Sequence, residues 1–190
     1  LGALVARTQS FDAALAWLEQ ARVGFEQSDD RAGLSRVLEL LSFTHYQLGN
    51  TSQALADAER QLAVASVIGD QIGRSDALAQ IGLVATQLGD FNRALDMFRK
   101  SLENAELIGY RRRTVLTANE IAGIYWRIDD FAHALEWLLR SIYDAEEIGY
   151  IWMIGLMIAN AGMIYARQGE DEQALVCFIR ALQIALDLGD

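Results

Sequence analysis

The stretches FNRALDMFRKSLENAELIGY, residues 91–110, and FAHALEWLLRSIYDAEEIGY, residues 131–150, decide the fold. Aligned without a gap, they pair Phe91 with Phe131, Ala94 with Ala134, Leu95 with Leu135, Ser101 with Ser141, Ala105 with Ala145, Glu106 with Glu146 and Ile108-Gly109-Tyr110 with Ile148-Gly149-Tyr150. The period is 40 residues. Outward from these stretches, Gly49, Gly69, Gly89, Gly109, Gly149, Gly169 and Gly189 recur every 20 residues, with Asp129 standing at the one skipped place. Most are followed by Asn50, Asp70, Asp90 or Glu170, and Asp130 follows Asp129. A glycine and then an acid or amide reads as a left-handed helix end passing directly into the N-cap of the next helix. Tyr110 and Tyr150 depart from that rule. Between the stops, apolar residues at three-and-four spacing predict helices of about 27 Å.

Helices joined by such short turns pack antiparallel, so the unit is a helical hairpin. A fixed period of this size predicts stacked repeats, because one hairpin cannot bury both of its apolar faces. The expected fold is therefore all-α, a solenoid of stacked antiparallel hairpins with about four and a half repeats. The boundaries read as a single domain over 1–190: a partial repeat at 1–30, then 31–70, 71–110, 111–150 and 151–190.

At these positions the chain resembles the tetratricopeptide repeat family over essentially its whole length. The large-then-small pair of the family's first helix reads Leu41-Ser42, Ile81-Gly82, Ile121-Ala122 and Ala161-Gly162, followed by His45, Ala85, Tyr125 and Tyr165. The second-helix triad reads Ala94, Phe98, Ser101, then Ala134, Leu138, Ser141, then Ala174, Phe178, Ala181. The usual first-helix Trp is replaced by Leu38, Leu78, Ala118 and Ile158, the chain has no Pro, and its repeat is longer than the ordinary ~34 residues. The resemblance implies a right-handed superhelix of the long-repeat kind found in bacterial signalling and regulatory proteins.

Composition bounds the function. Of the 190 residues 52% are apolar and 22% charged, as in a well-buried protein. A formal charge of −10 opposes general binding to nucleic acid or to an anionic membrane surface. The apolar stretch from Ile151 to Tyr165 is interrupted by Asn160 and falls short of the roughly 20 residues of a membrane span. Cys177 is the one cysteine, which fits a reducing compartment, and a cytoplasmic location is expected. The chain begins with Leu1 and holds no basic segment followed by an apolar run, so no targeting peptide is expected within it. Leu1-Gly2 matches a first-helix pair, with Phe11, Ala14, Leu18 and Ala21 on a second helix, so the chain reads as opening inside a repeat of a longer protein.

Reactive chemistry finds no support. One Cys and two distant His fall short of a zinc set, and Ser42 three residues before His45 lacks a placed acid. His45 takes a packing slot and His133 a water-facing one. Glycines lie at helix ends instead of in a phosphate loop. Acidic pairs such as Asp129-Asp130 fall at turns, and Arg111-Arg112-Arg113 begins a helix. No enzyme, metal or cofactor is expected.

The superhelix implied by the resemblance lines its concave face with first helices. Removing their packing slots leaves an inner set that includes Arg36, Phe43, Tyr46, Asp76, Ala79, Leu83, Leu116, Asn119, Gly123, Trp126, Trp152, Leu156, Ala159 and Met163, flanked by Arg127 and Arg167. The candidate partner-binding residues are Arg36, Phe43, Tyr46, Leu83, Leu116, Asn119, Trp126, Arg127, Trp152, Leu156, Met163 and Arg167. Aromatic and Met side chains suit a protein or peptide segment such as an amphipathic helix. The Lys and Asn clamp for acidic C-termini is missing. Two alternatives remain: self-association or spacing through apolar terminal helices, giving a homodimer, and a signal-peptide or small-molecule sensor controlling an attached output domain.

Overall fold

A computed structural model describes residues 2–189, with side chains from 11 to 189. Its helices are α1 (Gly2–Gln27), α2 (Arg31–Gln47), α3 (Thr51–Ile68), α4 (Gln71–Gln87), α5 (Phe91–Leu107), α6 (Arg111–Arg127), α7 (Phe131–Glu147), α8 (Ile151–Gln168) and α9 (Asp171–Leu188). No strand occurs among the described residues. From Gly49 onward each stop falls at the end of a helix, at φ between 67° and 80° for the seven glycines. Asp129 adopts φ 58° and Asp29 φ 51°, so aspartate performs the left-handed turn where glycine is absent. The next residue's N–H then reaches five residues back, as from Asn50 to His45 O, Asp90 to Ala85 O and Asp130 to Tyr125 O, each at 2.9 Å. These bonds satisfy carbonyls that the ending helix leaves open.

Capping is more selective than the spacing suggests. Asp30, Asp70 and Asp90 accept from the N–H groups of Gly33, Gly73 and Arg93 at 2.9, 2.9 and 3.1 Å, and Asp130 accepts from His133 N–H at 3.3 Å. Asn50 and Glu170 occupy the expected N-cap positions but make no cap bond with their side chains. The Asn50 amide turns instead toward His45 Nδ1 at 3.5 Å, and glutamate is one methylene longer than the side chains preferred at this position. Asp70→Ala should therefore lower stability by about 1 kcal/mol in urea unfolding while Glu170→Ala leaves it unchanged; equal losses would show that the cap bond is idle.

The beginning of the chain departs from the expected helix boundaries. The helix over Gly2–Gln27 is continuous through the point where a first helix was expected to give way to a second at Phe11. Thr8, Gln9 and Ser10 include no glycine-acid stop, so nothing interrupts the backbone ladder. The proposed Leu1-Gly2 pairing lies outside the residues whose side chains are described.

The helices group into two compact units, Leu1–Ile108 and Gly109–Asp190. In the first, Leu34, Leu38 and Leu41 of α2 pack with Leu18 and Phe25 of α1 and Val64 of α3. Close approach of α4 and α5 is set by Gly82, where an added Cβ would lie 2.7 Å from the Phe98 ring. Buried hydroxyls use the same proximity: Ser42 donates to Ala54 O and Ser101 to Ser75 O, each at 2.8 Å. In the second unit Ser141 donates to Val115 O at 2.7 Å, and Ala122 packs with Leu138, Met157 and Ile164 in one core. Gly162 meets the Phe178 ring as Gly82 meets Phe98. In these three hairpins the small and large partners thus vary together, Gly with Phe and Ala with Leu, which keeps their packed volume nearly constant, whereas the hairpin of α2 and α3 holds Ser42 and Ala58 at the same places. Of α9, Leu175, Ile179, Leu182 and Leu186 stay exposed.

Candidate functional site

Each unit presents its own set of the expected binding residues. In the first unit, Arg36 and Phe43 of α2 are exposed, and Tyr46 of α2 and Leu83 of α4 are half-buried. Asp76 and Ala79, placed by register on the same inner face, are only 4% and 2% exposed, which removes them from it. α4 is buried nearly all round, so helical register alone could not tell its inner face from its packed ones. A depression of about 310 Å³ in this unit lies elsewhere, among Phe25, Leu34 and Val64 and the charged turn at Asp29 to Arg31.

In the second unit three expected residues converge. Asn119 and Trp126 of α6 and Met163 of α8 line a cavity of about 190 Å³, floored by Ala122, Leu138 and Ile164. Gly123 of α6 belongs to its wall, and a Cβ there would meet nothing within 4 Å. The missing side chain is part of the hole. Above Trp126, 38% exposed, the Arg167 guanidinium lies 6.0 Å from the ring centroid and 3.4 Å from Asp129 Oδ1. The remaining expected residues do not line the cavity: Leu116 packs on the core, Arg127 and Leu156 are exposed, and Trp152 meets Tyr150 edge-on at 5.3 Å.

Two polar lining residues were missed, Glu120 of α6 and Asn160 of α8. They are 40 residues apart and therefore repeat-equivalent, which places them side by side on neighbouring first helices. Burial pushes the Glu120 carboxyl above its ordinary value of 4.5, opposed through space by Arg113 and Arg127. A raised carboxyl means that ionisation is harder in the folded chain, so this group costs stability at neutral pH; the cost begins to shrink as pH falls to the raised folded value and is gone below the ordinary glutamate value. Glu120→Gln should melt above the wild type at neutral pH and level with it in acid; a variant that melts lower at neutral pH would contradict the assigned burial.

Other titratable groups have local duties. His45 Nε2 sits 3.8 Å from Asp57 Oδ2, and burial holds the Asp57 carboxyl up despite the imidazole. His133 stacks on Tyr125 at 5.1 Å and binds Asp130 at 2.7 Å, which holds that carboxyl down. Burial pushes the Cys177 thiol up, away from the reactive thiolate. Among the described residues no three His, Cys, Asp or Glu side chains converge as metal ligands, and no helix is long and apolar enough to cross a membrane.

Two sequence models, both described as tetratricopeptide repeat, match residues 73–146 and 158–190, together more than half of the chain. The chain belongs to the tetratricopeptide repeat family. A comparison with curated protein sequences returns no match. Among solved structures, this repeat protein is similar to BtubC from P. vanneervenii, with 18% identity, TM-score 0.81, and 99% of this chain covering 82% of that one. It is also similar to a Rap protein complexed with Competence and Sporulation Factor, with 16% identity, TM-score 0.86, and all of this chain covering 53% of that one. A third is the Rap conjugation gene regulator of plasmid pLS20 in complex with the Phr* peptide, with 12% identity, TM-score 0.82, and all of this chain covering 52%. The chain thus spans about half the length of the two Rap structures. Likeness at these identities is one of fold. Within that fold the α6 and α8 cavity is described by this repeat protein's own residues.

Proposed function

We propose that the chain is a non-enzymatic regulatory module of a cytoplasmic protein, and that it holds a peptide or protein segment against the first helices α6 and α8. The observation that carries this reading is the convergence of Trp126, Met163, Asn119 and Asn160 on one cavity beside the glycine gap at 123. A mostly apolar hollow with a few convergent polar groups is the ordinary form of a recognition site. Two of the similar structures are complexes, one with Competence and Sporulation Factor and one with a Phr* peptide, which supports the class of partner.

The test uses Gly123→Leu. The new side chain enters open space, so it fills the cavity while leucine's higher helix propensity supports α6. Peptides selected from a random display library on the wild type should bind Gly123→Leu at least tenfold more weakly by calorimetry. Equal affinity, with the helical circular dichroism unchanged, would remove the cavity from the binding surface.

Self-association is a second reading, favoured by the apolar face of α9, where Leu182 is 60% exposed. It expects a sedimentation mass that rises with concentration and returns to the monomer in Leu182→Asp. A wild-type monomer at high concentration sinks it.

A further inference from the structure

The α6 and α8 cavity combines an apolar shape with one carboxylate, and that combination selects a ligand class. Its lining holds a single ionisable side chain, Glu120, among Asn119, Asn160, Trp126, Met163 and aliphatic groups. Arg113 and Arg127 are the cations nearest in effect, but they stand seven residues before and after Glu120, about 10 Å along the helix axis in each direction, and neither lines the cavity. Arg167 is held beyond the lining by Asp129 and the Trp126 ring.

A ligand that closes this cavity withdraws the carboxylate further from water. An aliphatic side chain would do so without compensation, and an anionic one would add repulsion. A cation on an apolar stem answers both demands: the stem lies against Trp126 and Met163, and the charged end meets the carboxylate. The two carboxamides supply oxygens for the N–H donors that one carboxylate leaves unused. The size agrees, since about 190 Å³ equals roughly six water volumes, enough for the four methylenes and ammonium of lysine or the longer planar end of arginine.

We propose that the cavity takes a lysine or arginine side chain of the bound peptide, with Glu120 as its counter-ion and Asn119 and Asn160 as acceptors for its remaining donors. This rests on the reading of the cavity as a peptide site and adds the chemistry of the residue it reads. Glu120 is then a specificity residue, which separates cationic from neutral side chains of similar length.

The experiment is a ¹⁵N NMR titration of the intact chain with capped pentapeptides Ac-Ala-Ala-X-Ala-Ala-NH2, where X is Arg, Lys, norleucine or Glu, and separately with agmatine. Expected are shifts centred on the amides of Asn119, Gly123 and Asn160, with the Arg and Lys peptides binding at least tenfold more tightly than the norleucine and Glu peptides. Glu120→Gln, which keeps size and shape, should abolish that preference while norleucine binding stays the same or improves. Equal affinity for all four peptides, retained preference in Glu120→Gln, or no shifts at millimolar peptide overturns the proposal. If norleucine binds best, the cavity is still a peptide site and only the cation assignment fails. If agmatine binds through Glu120 and no peptide does, the cation site stands and the peptide reading of the cavity fails.

Discussion

Phe98→Ala should lower the unfolding free energy by about 3–5 kcal/mol, the largest loss expected from any single substitution in the first unit. Phe98 is fully buried, and its ring occupies the space left by the missing side chain of Gly82. Truncation removes transfer energy and opens a void between α4 and α5 that helix packing closes poorly. The reciprocal change, Gly82→Ala, puts a methyl 2.7 Å from that ring, and overpacking of about 1–3 kcal/mol outweighs the ~1 kcal/mol gained in helix propensity. The second unit supplies the remedy, because Ala122 and Leu138 occupy the corresponding places and pack in one core. Gly82→Ala with Phe98→Leu should thus be more stable than the sum of its two single variants. A double-mutant cycle in urea measures the coupling, and simple additivity would show that the pair does not share one volume.

Trp126→Ala should weaken a peptide selected on the wild type by about 2–4 kcal/mol, or roughly 30- to 1000-fold. The ring is a wall of the cavity, so truncation removes the apolar face against which the bound segment packs. Trp152→Ala is the control. That ring packs edge-on against Tyr150 outside the cavity, and its loss should change affinity less than threefold in the same calorimetric titration. Equal effects of the two tryptophans would point to a diffuse apolar surface in place of a defined cavity.

Much of this architecture is legible from spacing alone, because left-handed turns restrict residue choice locally. Gly89 must turn at φ 77°, and Asp129 does the same with a residue that tolerates it. The cap at Asp70 follows from the same short-range logic, since its carboxylate need only reach three residues ahead. Asn50 escapes that logic because His45, a partner from the preceding helix, competes for its amide.

The site was legible in part. Asn119, Trp126 and Met163 lie where helical register places them, whereas Glu120 and Asn160 occupy a register position whose character changes along the chain. The same position is Leu40, exposed, and Gln80, buried with an unpartnered side-chain oxygen, so no rule read from one repeat transfers to the next. Asp76 and Ala79 show the converse, an inner face by register that burial closes.

From Gly49 onward the chain by itself determined its helices and their stops, because these depend on backbone conformation within a turn that recurs every 20 residues. Only tertiary structure decided which faces stay open and that Glu120, Asn160 and the gap at Gly123 share one cavity. Burial is a sum over neighbouring helices, and that sum differs between repeats whose local patterns are alike.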